Sequence, residues 1–332
     1  MEAGQIKISK VGSLRIAICI PVRNERSNLH SLLRELDEVA GQLVMATVVA
    51  VVFDDSSGDG TVDSLQYETF SNFETLVCAS SAHVGKSVGL SKAFDLALRE
   101  SCDFVVMMDG DGQDDPAELR SFIDALLAGS DVVNGRRIKR QDDSLKILAS
   151  QLFNMAARLV TGVQLRDVNS GYKGFSRRAA SLFQQNLRGD LHRLIVPMAT
   201  SLDLRVTETT VTNRKRLGGK SKYGYRRGFN ALADLALFGL IGFDKVEIPK
   251  FFVWSAILSP ILLVATVFWL VMGSGGTLWL VGISHVILAA FGLTSSLLIV
   301  RLQQLRKQNA SSAEVTYRCF RNGALAREVS TA

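Results

Sequence analysis

The sequence predicts an α/β protein: a Rossmann-like, mainly parallel sheet wound by helices on both sides, followed by an apolar helical hairpin long enough to cross a membrane. Three observations predict it. Short apolar, β-rich runs alternate with helical patterns from Leu14 to Asn134, the signature of a doubly wound parallel sheet. Polar clusters fall where each strand hands over to the next segment, which is the crevice where open α/β sheets bind ligands. From Phe251 to Val300 there is no Asp, Glu, Lys or Arg, and only Gly273-Ser274-Gly275-Gly276 breaks the run.

Taken in order, Leu14 to Pro21 (LRIAICIP) fits a first buried strand, ending in Val22-Arg23-Asn24-Glu25. Ser27 then offers an N-cap to a helix with Leu29, Leu32, Leu33 and Leu36 on one face. Val44 to Phe53 is the second strand. It stops at Asp54-Asp55-Ser56-Ser57-Gly58-Asp59-Gly60-Thr61, with a helix beginning near Thr61. Leu76 to Ala79 makes a third strand, followed by a loop and a helix over Ser87 to Glu100. Phe104 to Val106 is the fourth, running into MMDGDGQDDP at 107 to 116. There Asp115 is placed to N-cap a helix, with Pro116 at its first position and Glu118 closing a capping box. Asp131 to Asn134 is a short fifth strand.

Beyond Gly135 the alternation weakens. Ser144 to Thr161 is helical, with Leu145, Leu148, Leu152, Ala156 and Leu159 on a stripe. Arg166 to Phe175 reads as a polar loop with aromatics, Arg177 to Gln185 as a helix, and Leu204 to Val211 as a strand. Asn213 to Arg227 holds seven Lys or Arg, three Gly and no acid. Apolar residues cover most of the Phe229 to Phe243 surface, which suits a helix lying at a bilayer interface. The chain after Lys307 reads as a polar, mobile tail.

Each half of the charge-free segment is long enough to span a hydrocarbon layer of about 30 Å, which takes roughly 20 apolar residues. Lys245 and Lys250 precede it and Arg301, Arg306 and Lys307 follow it, so the positive-inside rule puts both termini and the N-terminal domain in the cytoplasm. The expected parts are a catalytic domain over 1–227, an interfacial helix over 228–248, two transmembrane helices over 249–300 and a cytoplasmic tail over 301–332. The start of the chain carries no signal-peptide pattern. Cys19, Cys78, Cys102 and Cys319 have no paired spacing and read as reduced thiols. The net charge of +6 is accounted for by a bilayer partner; no interleaved aromatic platform points to nucleic acid.

Two carboxylates one residue apart, Asp109 and Asp111, with Gly110 and Gly112 beside them, suit a hard divalent cation that also holds a diphosphate, with Gln113 as a third oxygen donor. The alternative for this stretch alone is a solvated acidic turn. A carboxylate at Asp54 or Asp55 can accept from the N–H edge of a uracil or guanine base; the alternative is a turn that caps the next helix. Gly85-Lys86-Ser87 lacks the upstream glycine of a phosphate loop, since position 80 is Ser. The basic run can hold an acceptor anion, or serve as an anionic-lipid patch or positive-inside flank. His192 and Arg193 belong to packing or to an acceptor mouth. His285, in the apolar segment, is hydrogen-bonded within the hairpin or functional.

Together, IPVRNERSNL (20 to 29), FDDSSGDGT (53 to 61), VGKSVGL (84 to 90), MDGDGQDDP (108 to 116), GRR (135 to 137), RDVNSGYKGFSR (166 to 177), LHRLIVP (191 to 197) and RKRLGGKSKYG (214 to 224) resemble, in order and spacing, the family 2 glycosyltransferases. The branch they resemble is that of the polyprenyl-phosphate sugar transferases typified by dolichyl-phosphate mannose synthase. The resemblance covers about Leu14 to Leu240, and its last two motifs belong to the lipid-phosphate branch.

It implies a GT-A fold and transfer of a sugar, with inversion, from a nucleotide-diphosphate sugar to dolichyl or undecaprenyl phosphate, using Mg²⁺ or Mn²⁺. Pro21, Arg23, Glu25, Asp54, Asp55, Lys86, Asp109 and Gly110 would bind the donor, and Asp109, Asp111 and Gln113 the metal. Arg137, Lys146, Ser150, Arg216 and Ser221 would hold the acceptor phosphate, with Asp111, Arg137 and Arg216 carrying the chemistry. Arg23 stands where the family usually has Tyr, His83 where it has Asn, and Ser56-Ser57 in place of Gly-Ser or Cys-Ser; these departures bear on nucleotide identity. Transfer to a diacylglycerol or ceramide hydroxyl, and a decayed membrane-anchored scaffold, are the alternative functions; homo-oligomerisation is left open.

Overall fold

A computed structural model of the chain describes residues 13–65, 68–138, 165–214, 315–322 and 324–330, with most of 150–158 and the isolated positions Asp234, Leu235 and Ser295. Lys146, Arg216, Ser221 and nearly all of 228–300 lie outside the described residues, so the expected interfacial helix and membrane hairpin do too. Among the described residues, no helix is long and apolar enough to cross a membrane.

The sheet is built on β1 (Leu14–Val22), whose residues 16–20 are fully buried. Parallel neighbours flank it: β2 (Ala46–Asp54) on one side and β4 (Phe104–Met107) on the other. β3 (Phe73–Ser80) pairs parallel with β2. Val- and Ile-rich runs form β1 and β2 because both faces are covered, so the alternation of a half-exposed strand is absent. Alternate residues supply two cores. Ala17, Cys19, Val51 and Phe53 face α3 (Lys86–Arg99), while Ile16, Ile18, Ile20 and Val52 face α1 (Arg26–Gly41) and α4 (Leu119–Leu127). Leu29, Leu32, Leu33 and Leu36 of α1 are all within 1% of full burial, as their spacing predicts; each such burial contributes roughly 1.5–3 kcal/mol. A short helix α2 (Thr61–Leu65) follows β2.

The second half departs from a wholly parallel sheet. β5 (Val132–Ile138) does not sit beside β4, because β6 (Lys173–Ser176) lies between them, antiparallel to both. The stretch expected as a loop over Arg166 to Phe175 therefore ends in a strand. Four residues are too few to show a period, and here Lys173 is a buried strand position. α5 (Arg177–Asn186), α6 (Ile195–Ser201) and β7 (Val206–Thr212) follow, and β7 pairs parallel with β5.

The expected mobile tail is a second correction. Residues 316–330 form a hairpin, β8 (Thr316–Arg321) and β9 (Ala324–Ser330), and β8 pairs antiparallel with β3. The sheet order is β7-β5-β6-β4-β1-β2-β3-β8-β9. Two cap expectations also change. Ser27 lies inside α1, which starts after Glu25. Asp115 does cap the 3-10 turn Pro116–Glu118, accepting from Ala117 N at 2.9 Å, but Glu118 turns away to accept from Thr212 N at 2.7 Å.

Candidate functional site

The C-terminal ends of β1, β2 and β4 meet at one edge of the sheet, and the acidic loop is folded there by its own carboxylates. Met108 N donates to Cys19 O at 3.1 Å, carrying β4 one residue further along β1. Asp109 N then donates to the buried carboxylate of Asp114 at 2.9 Å, which turns the chain back. Burial, with the charge of Asp109 next, pushes the Asp114 carboxyl up to about 7. Asp111 Oδ1 accepts from Gln113 N at 3.2 Å. Gly110 has no room for a side chain, because Val22 Cγ1 occupies the place of a Cβ. A Cβ on Gly171, in the loop before β6, would meet Asp109 Oδ2 at 2.6 Å.

Asp109 and Asp111 remain half-exposed at the head of this loop. Lys86, the first residue of α3, reaches Asp109 Oδ1 at 2.5 Å. Burial opposes ionisation of Asp109, but the Lys86 ammonium, with Arg137 and Lys173 beyond it, outweighs that and holds the carboxyl below its usual range. The two carboxylates are the hard oxygen donors that a divalent cation takes. Among the described residues no cluster of three or more His, Cys, Asp or Glu has metal-binding geometry, so such an ion would take the two carboxylates and complete its oxygen ligands from phosphate and water. The side-chain amide of Gln113 donates to Arg214 O at 3.3 Å.

On the β2 side, both aspartates are buried and already engaged. Asp54 accepts from Ser57 N at 3.0 Å and from the Ser57 hydroxyl. Asp55 accepts from Val84 N at 2.6 Å and Gly85 N at 3.1 Å, with His83 Nδ1 at 2.6 Å. Burial raises the Asp54 carboxyl despite the Ser57 bonds. Glu25, also buried, accepts from Asn28 Nδ2 at 2.7 Å, and Arg23 is exposed beside it. Asn24 links this turn to the next: its N donates to Ser57 Oγ at 2.8 Å and its side-chain oxygen accepts from Gly58 N at 2.8 Å. Pro21 is a half-buried position of β1.

On the β5 side, Arg137 makes a two-pronged bond to Asp167, with Nε at 2.7 Å from Oδ2 and Nη2 at 2.9 Å from Oδ1. Burial works against the Asp167 charge, but these bonds hold its carboxyl below the usual range. Next to it Lys173 is buried, donating to Asn134 Oδ1 and Ser170 O, both at 2.6 Å, and to Val168 O at 3.4 Å. Burial pulls its ammonium down to about 7. Ser150 sits on a helical turn, half-buried. The sequence pattern points to Arg137 and the acidic loop but not to Asp114, Asp167 and Lys173; all three lie in the motifs at 108–116 and 166–177, whose polar residues are the signal that was there to find.

The acidic loop is also tied to the root of the basic run. Asp114 and Asn213 form an antiparallel bridge, and Arg214 N donates to Gln113 O at 3.0 Å. The Arg214 guanidinium contacts Glu35 Oε2 at 2.6 Å and Asp115 Oδ1.

The chain is similar to known proteins over this region. It is 28% identical over 222 residues to undecaprenyl-phosphate 4-deoxy-4-formamido-L-arabinose transferase of Aeromonas hydrophila, covering 66% of this chain and 66% of that protein. It is also 28% identical to dodecaprenyl-phosphate galacturonate synthase of Rhizobium johnstonii, covering 68% of this chain and 66% of the other. The chain thus spans just under two thirds of the length of either. In three dimensions it is similar to glucosyl-3-phosphoglycerate synthase of Mycobacterium tuberculosis, with TM-score 0.51 and 17% identity over 67% of this chain and 80% of that one, a likeness of fold. That fold is the GT-A arrangement of a Rossmann-like, mostly parallel sheet. Residues 17–183, half of the chain, match the family model described as Glycosyl transferase family 2, and the chain belongs to that family.

Proposed function

We propose that the protein is an inverting glycosyltransferase that moves a sugar from a nucleotide diphosphate to a polyprenyl phosphate at the cytoplasmic face of a membrane. The observation that carries this reading is a juxtaposition: the loop of Asp109 and Asp111 is hydrogen-bonded through Gln113 and Asp114 to Asn213 and Arg214. Those two residues open the most basic stretch of the sequence. A donor diphosphate at the carboxylates would lie beside the chain that leads to Arg216 and Ser221. The names of the Aeromonas and Rhizobium relatives, both polyprenyl-phosphate enzymes, support the same acceptor class. A structure of the Mycobacterium neighbour with Mn²⁺ and UDP-glucose, at TM-score 0.50, supports a divalent cation and a nucleotide sugar in this fold.

In this reading Asp109 and Asp111 hold the cation and Lys86 adds a positive charge at the same edge. A divalent ion there supplies neutralisation of the charge that develops on the departing diphosphate. Asp55, His83 and the 84–85 backbone bound the nucleotide side, with Pro21, Arg23, Glu25 and Asp54 around it. Asp167 fixes the Arg137 guanidinium at the end of β5, so a phosphate meets a charge already oriented. The acceptor is a phosphate monoester whose second pKa is about 6, so it is a dianion near neutral pH and needs no general base. The catalytic domain takes in the chain up to about residue 227 together with the β8–β9 hairpin, with an interfacial helix over 228–248 and a membrane hairpin over 249–300 between them.

Purified full-length protein incubated with Mn²⁺, a panel of nucleotide sugars and undecaprenyl phosphate tests the reading. Formation of a lipid-linked sugar with release of the nucleoside diphosphate is the expected result. Absence of transfer from every donor would overturn it.

A further inference from the structure

The hairpin β8–β9 lies outside the family match, which ends at residue 183. It extends the sheet beyond β3, the strand that leads into the loop before Lys86. β8 pairs with β3 from Leu76 opposite Arg321 to Ser80 opposite Tyr317. The contact then continues past the strand: Ser81 N donates to Thr316 O at 3.1 Å, and Thr316 Oγ1 donates to Ser81 Oγ at 3.0 Å. At the other end of β3, Asn322 holds Thr75 through its side chain, at 2.9 Å, and its own N–H, at 3.0 Å.

Tyr317 carries this contact under the site. Its ring is 3% exposed and packs at 6.0 Å, centroid to centroid, on Phe53, the residue before Asp54 and Asp55. Lys92 of α3 places its ammonium 5.1 Å from the centre of the same ring. The loop 81–86 is therefore pinned twice: by β8 at Ser81, and by Asp55 at Val84 and Gly85. The next residue is Lys86, on Asp109. A lever of five residues separates the hairpin from the ammonium that faces the proposed cation site.

We infer that the C-terminal hairpin is part of the donor-binding apparatus, with Thr316 and Tyr317 positioning the 81–86 loop and, through it, Asp55, His83 and Lys86. This rests on the proposed reading of that edge as a nucleotide-diphosphate site. The bland role for the hairpin is to cover the edge of β3, as exposed edges are commonly blunted. Edge cover predicts a loss of stability shared by donor and acceptor binding alike; positioning predicts a loss confined to the donor.

The test is made on the full-length chain with the variants Thr316→Val, Tyr317→Ala and Tyr317→Phe. Binding of UDP and of GDP, each with Mn²⁺, is measured by calorimetry, and KM is measured separately for the best nucleotide sugar and for undecaprenyl phosphate. Tyr317→Ala is expected to weaken nucleotide binding and raise donor KM about tenfold, with lipid KM within about twofold of wild type. Thr316→Val is expected to do the same by about threefold. Tyr317→Phe keeps the ring, and since the hydroxyl has no hydrogen-bond partner among the described residues, it is expected to restore wild-type binding. In Lys86→Ala, adding Tyr317→Ala is expected to cost little more.

Unchanged donor affinity in both Thr316→Val and Tyr317→Ala, or an equal rise in lipid KM, would overturn the inference. If Tyr317→Ala does not fold, Thr316→Val reads the same quantity. Failure of the wild-type protein to bind either nucleotide or use any donor would instead overturn the proposed function.

Discussion

One residue that touches no expected ligand holds the acidic edge in shape. Gly171 lies against Asp109, and a methyl group there would meet Oδ2 at 2.6 Å, so either the carboxylate or the loop before β6 must move. Gly171→Ala is expected to raise the Mn²⁺ concentration needed for half-maximal transfer at least about tenfold, with a small change in Tm; metal titration of activity beside a thermal melt checks it. Asp111→Ala is expected to abolish transfer while the protein still folds, checked by the donor panel and circular dichroism. Lys173 tests the energetics. Its ammonium is pulled down to about 7 in the fold from a usual 10.5. Between those values the unfolded chain holds a proton that the native protein has released, so stability contributed by this group rises with pH across that window. In Lys173→Met that rise should be absent, giving a flatter Tm between pH 7 and pH 10 than the wild type shows. The same substitution leaves Asn134 Oδ1 and Ser170 O without their donor, which costs about 1–3 kcal/mol for a buried group.

At the scale of elements, the parallel half was legible because β1, β2 and β4 are runs of buried Val, Ile and Ala bounded by polar turns. The junctions were less so. Ser27 and Glu118 have the right residue types for caps, yet Asp59 takes the first N–H of α1, at Arg26, and Thr212 N takes Glu118. A cap is a competition among acceptors, and distant strands bring acceptors that a local pattern does not contain. Arg214 is the clearest case. It joins α1 through Glu35 to the 3-10 turn through Asp115, and its backbone joins Gln113. A partly exposed ion pair by itself contributes little, so the value of Arg214 lies in where it fixes the chain. Arg214→Ala is expected to lower kcat/KM for polyprenyl phosphate about tenfold while Tm moves by only a few degrees, measured in parallel on one preparation.

For the whole molecule, the consequence of β8 is topological. β7 and β8 belong to one sheet, so residues on both sides of the charge-free stretch, Thr212 before it and Thr316 after it, are part of the same domain. Any segment between them that enters a bilayer must cross it an even number of times, as the proposed hairpin would. Reporters fused ahead of Met1 and after Ala332 are expected to lie on the same, cytoplasmic side. Opposite locations for the two reporters would break the proposed arrangement.

The sequence by itself determined the succession of strands and helices in the first half, the placement of acidic clusters at strand ends and the family, because these depend on burial pattern and residue type within short windows. Tertiary structure alone decided that a strand succeeds the 166–172 loop, that Lys173 is buried among carbonyls, and that the C-terminal residues extend the sheet beside the 81–86 loop. Cys78 and Cys319 stand opposite each other in β3 and β8 although 241 positions separate them. Pairing at that distance is set by the unsatisfied edge of β3 and the space beside Phe53, and neither exists until the rest of the sheet has formed.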